Sequence, residues 1–202
     1  MTAAEYYYTL EEPGPEVLYK EKGSKFYARA YPVRDEDEAK DILAAVKAEH
    51  YKARHWCYAW RMGAGGEHER ANDDGEPSHS AGQPILGQIR AFSLSGVMVV
   101  VVRYFGGVKL GVGGLIRAYK TAARDAIEQA TVVRKELLSR YEIRTGYENM
   151  NKIQQLVKRY RLSIVSTEMQ DECLFVVDVP GRVKRQFLDE TGRWYKIKVK
   201  KL

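Results

Sequence analysis

The sequence predicts an α+β protein built from two domains, and three observations support this. Up to about residue 132, apolar residues follow strand and helix periods in the order β-β-α-β-α-β-α. From residue 138 the order is β-α-β-β-α-β, which is that of a ferredoxin-like unit. The charge balance changes at the same place, because residues 1–137 hold 19 basic and 19 acidic side chains whereas residues 138–202 hold 14 and 8.

Hydrophobic spacing predicts the elements of the first domain. They are strands at 16–21, 25–33, 55–62 and 97–104 and helices at 35–50, 78–94 and 114–132. The strand at 97–104 carries β-branched residues on both faces, which is typical of a central, fully buried strand. The polar stretch 62–77 is predicted to be a loop. Residues 1–15 have no clear periodicity, so we expect a flexible arm or an edge segment there.

The second domain is predicted from shorter elements. They are strands at 140–144, 162–169, 173–179 and 194–200 and helices at 149–160 and 182–189. The last strand of a ferredoxin-like sheet lies beside the first. We therefore expect a flexible arm (1–15), an N-terminal mixed-sheet domain (16–134) and a ferredoxin-like C-terminal domain (138–202).

Composition excludes several classes of protein. The longest apolar run, 97–102, is far shorter than the about 20 residues that a membrane span needs, and the N-terminus lacks the pattern of a secretory signal. The two cysteines, Cys57 and Cys173, cannot form a disulfide framework or a four-cysteine zinc site. We expect a cytoplasmic protein without a metal, a cofactor or a membrane partner.

A glycine-rich segment after the buried strand is a candidate anion site. Glycines leave main-chain N–H groups open to a ligand, and the N-terminus of the following helix attracts anions. The candidate residues are Arg103, Gly106, Gly107, Lys109, Gly113, Gly114 and Arg117. The alternative is a tight connection whose glycines only supply positive φ. The spacing matches neither a Walker A loop nor a dinucleotide-binding fingerprint, so a catalytic nucleotide site is not supported.

An acidic loop with nearby imidazole and thiol groups is a second candidate. The cluster consists of His55, Cys57, Asp73, Asp74 and Glu76. These groups could bind a metal, but their spacing matches no zinc or calcium loop. We favour a capped turn, in which the aspartates accept bonds from local amides and Glu76 or Ser78 caps the next helix. The Cβ atoms of His55 and Cys57 would lie ~7 Å apart on one strand, too far for a nucleophile–base pair.

A basic face on the second domain is a third candidate. Along the last strand, Tyr195, Ile197 and Val199 are expected to face the helices. The cations expected together on the open face are Arg140, Arg144, Lys196, Lys198 and Lys200. Glu142 interrupts them, and no aromatic residue on the two strands joins them, so the face would contact phosphates and not stack bases. The alternative is an ordinary solvated sheet face.

Four motifs carry a resemblance to a known family. They are Arg54-His55-Trp56-Cys57-Tyr58-Ala59, Asp73-Asp74-Gly75-Glu76-Pro77-Ser78, Ala81-Gly82-Gln83-Pro84-Ile85-Leu86 and the segment 103–119. Through them, residues 16–131 resemble the IMPACT family and, within it, the bacterial YigZ-type branch. The resemblance implies an N-terminal domain shared with several ribosomal and translational proteins, and a C-terminal domain similar to the last domain of elongation factor G. His79-Ser80 departs from the family's usual Gly-Thr, which leaves the role of the threonine hydroxyl open.

The function expected from the resemblance and the charge is that of a translation-associated regulatory protein. It would bind RNA or a ribosome-associated partner without being an enzyme, with translation initiation as one step it could affect. We expect no counterpart here of the extra partner-binding domain of eukaryotic members, so we do not expect their regulatory mechanism to carry over. The alternative is an enzyme that acts on a small phosphorylated or peptide-like ligand at the loops 73–76 and 106–114. No catalytic motif supports that alternative, and the partner's identity and the oligomeric state stay open.

Overall fold

The computed structural model describes residues 5–63 and 65–202. The chain divides into two compact units, an N-terminal unit, Tyr7–Lys135, and a C-terminal unit, Glu136–Leu202 together with Glu5 and Tyr6. Separate hydrophobic clusters fill the two units. The α+β fold class is as predicted. Within the described residues, every helix is too short or too polar to cross a bilayer.

Among the described residues, the first two thirds of the chain supply seven strands and three helices. They are β1 (Tyr6–Leu10), β2 (Val17–Glu21), β3 (Ser24–Pro32), α1 (Glu36–Glu49), β4 (His55–Met62), β5 (His68–Asn72), α2 (Gly82–Ala91), β6 (Val97–Tyr104), α3 (Gly111–Glu128) and β7 (Val132–Glu136). Helix α1 begins where Asp35 accepts a hydrogen bond from the main-chain N–H of Glu38 at 2.9 Å, as an N-cap does.

Five of these strands form one sheet in the order β2-β3-β6-β4-β5, with antiparallel pairing throughout. Helices α2 and α3 cover one face and α1 covers the other. Strand β6 is buried from residue 97 to 103. Val99 and Val101 lie in the core between the sheet and helices α2 and α3, whereas Met98 and Val100 lie in the core between the sheet and helix α1. Burial of each such side chain stabilises the folded state by roughly 1.5–3 kcal/mol. The unbroken apolar run therefore identified the central strand correctly.

Two predicted boundaries in the N-terminal unit are wrong. The predicted loop at 62–77 contains β5, which pairs with β4 at the edge of the sheet. Its sequence, His-Glu-Arg-Ala-Asn, lacks apolar alternation because main-chain bonds hold an edge strand without burial. The helix predicted at 78–94 begins only at Gly82. His79 has a φ of 62°, which a right-handed helix cannot include.

Of the two expectations for residues 1–15, the flexible arm is wrong for residues 6–10 and the edge segment is correct. Strand β1 pairs with β7 in a two-stranded sheet, so this stretch is an edge segment. Thr9 and Leu10 are buried, and the Thr9 hydroxyl donates to the carbonyl oxygen of Gly96 at 3.2 Å. Three consecutive tyrosines conceal the alternation in the sequence. Residues 1–4 of the predicted arm lie outside the described residues.

The C-terminal unit has the ferredoxin-like sheet order β11-β8-β10-β9. Its elements are β8 (Leu138–Thr145), α4 (Met150–Tyr160), β9 (Ser163–Met169), β10 (Cys173–Pro180), α5 (Lys184–Thr191) and β11 (Lys198–Lys201). Ile143, Val177 and Phe187 lie in its core, so the helices cover one face of the sheet. The strand predicted at 194–200 begins only at Lys198, because Lys196 has a φ of 63°.

A close approach of two main-chain segments joins the β2–β3 turn to the end of β6. Gly23 has a φ of 82°, and the N–H of Gly106 donates to Ser24 Oγ at 3.2 Å. A Cβ atom on Gly106 would lie 1.9 Å from the carbonyl carbon of Gly23. Packing therefore requires glycine at 106.

We expect Gly106→Ala to lower the free energy of unfolding by about 2 kcal/mol or more, because the two main-chain segments must separate. Gly87→Ala is the matched control, since a Cβ there meets nothing within 4 Å. Because alanine favours the interior of a helix over glycine, Gly87→Ala should instead raise the free energy of unfolding by about 0.5–1 kcal/mol. Urea denaturation of both variants measures the difference, and equal stabilities would contradict the close approach.

Candidate functional site

The acidic loop is a capped turn, as the sequence analysis favoured. The Asp73 carboxylate accepts hydrogen bonds from the main-chain N–H groups of His79, Ala81 and Gly82 at 2.8–3.0 Å. It therefore satisfies the first amides of helix α2, whose N-cap residue offers no side-chain bond. The capping residue is thus Asp73 and not Glu76 or Ser78, a choice that local spacing could not predict.

The second aspartate ties the loop to strand β4. The Asp74 carboxylate accepts from the N–H of Trp56 at 2.8 Å, and Asn72 Oδ1 accepts from the N–H of Asp74 at 2.7 Å. His55 Nδ1 lies 2.9 Å from the Asp74 carbonyl oxygen. Because a carbonyl only accepts, this ring nitrogen carries the proton. Both aspartates and the imidazole are therefore held by the main chain.

A buried network connects the acidic loop to the glycine-rich segment. Arg103 Nη1 donates to Glu76 Oε1 at 2.7 Å, and the Tyr119 hydroxyl donates to the same oxygen at 2.7 Å. The side chains of Arg103 and Glu76 are only 8% and 4% exposed. Cys57 Sγ lies 3.3 Å from the Tyr119 hydroxyl oxygen. The prediction that Arg103 belongs to an exposed anion site is therefore wrong, because Glu76 neutralises its charge inside the N-terminal unit.

The electrostatics of this network oppose a nucleophilic role. Burial raises the pKa of the Cys57 thiol well above its ordinary value. Burial, with Cys57 and Glu76 close by, likewise raises the pKa of the Tyr119 phenol. Both groups keep their protons at neutral pH. The network holds the two loops together and offers no activated nucleophile.

The departure at His79-Ser80 has a structural explanation. His79 has a φ of 62°, in the left-handed region that glycine adopts most easily, so the family's usual glycine suits this position. The Ser80 hydroxyl is buried and donates to the carbonyl oxygen of Pro77 at 2.6 Å. A serine hydroxyl thus makes, within the turn, a bond that a threonine hydroxyl could also make.

The glycine-rich segment presents most of its residues to solvent. Gly106, Gly107, Lys109, Gly113 and Arg117 are exposed, whereas Gly114 is buried. Helix α3 begins at Gly111, three residues before the predicted start, and its N-cap residue makes no side-chain hydrogen bond. Exposed apolar side chains also lie in this part of the chain. They are Phe105, Val108, Val112 and Ile116.

The C-terminal face is less basic than its sequence suggested. Lys198 pairs in register with Arg144, and Lys200 with Glu142, so the predicted neighbourhood of the first and last strands is correct. Arg144, however, donates to Glu142 at 2.6 Å. Lys196 lies outside the strand, in a left-handed conformation.

A carboxylate on strand β10 lowers the charge of this face further. Arg140 donates to Asp178 at 2.8 and 2.9 Å. The hydrogen bond from Arg140 lowers the pKa of Asp178, which stabilises its charged form. Sequence analysis missed Asp178 because the register that places it opposite Arg140 is a long-range pairing. Lys198 and Lys200 are the cations of this face that lack an ion pair within the described residues.

A cavity that the sequence analysis missed lies beside the glycine-rich segment. It has a volume of about 400 Å³ and is lined by Gly23, Lys25, Tyr27, His50, Tyr104 and Phe105. The signal in the sequence is weak, because these residues come from three separate segments.

The ligand atoms of Glu16, Glu49 and His50 lie within 4.8 Å of one another, so this trio could hold a divalent cation.

Comparisons with known proteins agree with this architecture. Residues 22–127, which carry both loops, match the sequence model of the Impact N-terminal domain. The IMPACT family member YigZ of Escherichia coli is 34% identical over 85% of both chains, and YvyE of Bacillus subtilis is 37% identical over 73% of this chain and 68% of its own length. A solved structure described as that of a hypothetical protein has a TM-score of 0.76 and 30% identity over 97% of both chains.

The N-terminal unit thus defines the class of protein, one that carries an Impact N-terminal domain. The chain belongs to the IMPACT family, which is a translation-associated family. The IMPACT homolog of Saccharomyces cerevisiae is 33% identical over 54% of this chain and 43% of its own length. That match is shorter than the bacterial ones, as the bacterial-branch resemblance implied.

We expect Glu76→Ala to lower the free energy of unfolding by about 3–5 kcal/mol, because Arg103 would stay buried without a partner. Tyr119→Phe is the matched control, since it removes one hydrogen bond to Glu76 and should cost about 1 kcal/mol. Urea denaturation followed by tryptophan fluorescence measures both. A smaller loss for Glu76→Ala than for Tyr119→Phe would show that the ion pair does not hold the loops.

Proposed function

We propose that this protein is a translation-associated regulatory protein that binds RNA, free or within the ribosome, through the glycine-rich segment. One observation carries the proposal. The exposed loop ends in a helix N-terminus without a side-chain cap, with Lys109 and Arg117 close by in the sequence. Family membership supports the link to translation.

The loop has suitable chemistry for a phosphate. A helix N-terminus concentrates unpaired N–H donors and favours a negative charge by roughly 0.3–1 kcal/mol. Cβ atoms on Gly107 and Gly111 would meet nothing within 4 Å, so a ligand can approach the main chain there. Neither Lys109 nor Arg117 has an ion-pair partner in the part of the chain that the structure describes.

The C-terminal unit offers a second, weaker contact for phosphates. Lys198 and Lys200 alternate along β11 on the open face, and both are exposed. Their neighbours Arg140 and Arg144 already bond to carboxylates, so the two lysines supply most of the available charge. We propose that this face contacts the RNA backbone without sequence preference.

The enzymatic alternative has less support. In that alternative, the acid–base groups would be Asp73, Asp74, Glu76 and His55. Each accepts or donates a hydrogen bond that holds the loop in place. A group that acts in proton transfer needs access to a substrate proton, and these positions serve the fold instead.

The first test concerns the glycine-rich segment. We expect Lys109→Ala and Arg117→Ala each to weaken RNA binding and to reduce the slope of log affinity against log salt by about 0.7–0.9, because each variant loses one phosphate contact. Lys40→Ala on helix α1 is the control. Fluorescence anisotropy with a labelled single-stranded RNA gives the slopes. An unchanged slope in both loop variants would exclude the loop as a phosphate site.

The second test concerns the open face of the C-terminal sheet. The double variant Lys198→Ala and Lys200→Ala should reduce the salt slope by about 1.4–1.8, the sum of two phosphate contacts. Lys152→Ala on helix α4, a helix that packs on the opposite face, should leave the slope unchanged. If the double variant binds RNA as the parent does, this face is only a solvated surface.

A further inference from the structure

The cavity of the N-terminal unit is bounded by one face of the sheet and the end of helix α1. Lys25 and Tyr27 are two residues apart on β3 and therefore point to the same face. Tyr104 lies opposite Lys25 in the β3–β6 register, on that same face. His50 follows the last turn of α1. The volume of about 400 Å³ falls within the range of small-ligand pockets.

Aromatic rings form the walls of this cavity. The ring centroids of Tyr27 and Tyr104 are 5.7 Å apart in an edge-to-face arrangement, and Tyr27 lies 5.3 Å from the His50 imidazole. The Arg103 guanidinium lies over one face of the Phe105 ring at 5.7 Å from its centroid, and because Phe105 is 58% exposed, its other face is open for stacking. Ring faces of this kind accept planar ligands, and nucleic-acid bases stack on aromatic side chains.

Hydrogen bonds hold the walls in position before a ligand binds. One ring nitrogen of His50 lies 2.8 Å from Glu16 Oε2, and the other lies 3.2 Å from the Tyr104 hydroxyl. The imidazole is buried, and the two hydrogen bonds fix its position. A pre-formed cavity loses less conformational entropy on binding than one that must assemble.

Lysines place positive charge beside Lys25 of this cavity, whereas the carboxylates of Glu16 and Glu49 lie beside His50. Lys25 lines the cavity, and Lys20 lies directly opposite Lys25 in the β2–β3 register, so both side chains leave the same face. Lys22 is exposed in the turn between the two strands. An aromatic wall with lysines on one side favours a ligand that joins an aromatic ring to an anion lying on that side. A nucleotide has both groups.

We propose that this cavity binds one nucleotide of a single-stranded RNA, with the base stacked on Phe105 and Tyr104 and the phosphate held by Lys25. The choice of RNA over a free nucleotide rests on the proposed function. It is supported by position, because Gly23 of the cavity contacts Gly106 at the start of the glycine-rich segment. The cavity therefore supplies the base contact that a phosphate-binding loop lacks.

The test compares three probes on the full chain by isothermal titration calorimetry. They are a six-nucleotide oligouridine, an abasic phosphodiester strand of the same length, and uridine monophosphate. We expect the oligouridine to bind about 5- to 150-fold more tightly than the abasic strand, the usual effect of one base stacked on an aromatic ring. The monophosphate should bind more weakly than the oligouridine, because it lacks the neighbouring phosphates.

Variants at the rim show whether the cavity is responsible. Phe105→Ala should abolish the preference for oligouridine over the abasic strand, and Phe105→Leu, which keeps apolar bulk without a ring, should do the same. Tyr195→Ala is the control, since Tyr195 is an 83% exposed aromatic residue of the other unit. Lys25→Ala should weaken all three probes.

The outcomes separate this inference from the proposed function. Equal binding of the oligouridine and the abasic strand, unchanged by either Phe105 variant, would overturn the cavity and leave the loop proposal standing. Binding of uridine monophosphate that depends on Phe105, without tighter binding of RNA, would support the cavity and overturn the role in RNA binding. The absence of binding by all three probes would overturn both.

Discussion

The buried ion pair between Glu76 and Arg103 is the interaction on which the arrangement of the N-terminal unit depends. Removing two charges from water costs several kcal/mol per ion, and only good geometry with further hydrogen bonds offsets it. Glu76 meets this condition by accepting from both Arg103 and Tyr119. Glu76 lies on a loop, Arg103 on β6 and Tyr119 on α3, so the two hydrogen bonds to Glu76 hold three elements in one arrangement. A different loop conformation would leave a charge buried and unpaired.

This constraint separates supporting groups from groups that can meet a ligand. The acidic loop contains the residues most suggestive of catalysis, yet its aspartates bond to main-chain amides and Cys57 is buried among apolar neighbours. The surface next to this scaffold carries the exposed glycine loop and the aromatic cavity. A rigid support beneath an exposed loop is a common basis of binding sites, because it limits the entropy that binding costs.

Net charge alone overestimates the basic character of the C-terminal sheet. The excess of cations in residues 138–202 is real, but the fold brings Glu142 to Arg144 and Asp178 to Arg140. These exposed pairs contribute little to stability. Their main effect is to lower the potential of the face, which leaves Lys198 and Lys200 as its cations without an ion pair among the described residues.

Local spacing in the sequence determined the α+β class, the central strand β6 and the ferredoxin-like order of the second unit, since those features depend on hydrophobic periodicity within single elements. The motifs also carried the resemblance to the IMPACT family, which the match to the Impact N-terminal domain confirms. Only the tertiary structure decided which side chains contact one another. Glu76 and Arg103 are 27 residues apart, and Cys57 and Tyr119 are 62 apart, so no local pattern predicts their burial. The edge strand β5 and the cavity walls were equally hidden, because main-chain pairing and the meeting of distant segments leave no periodic signal in the sequence.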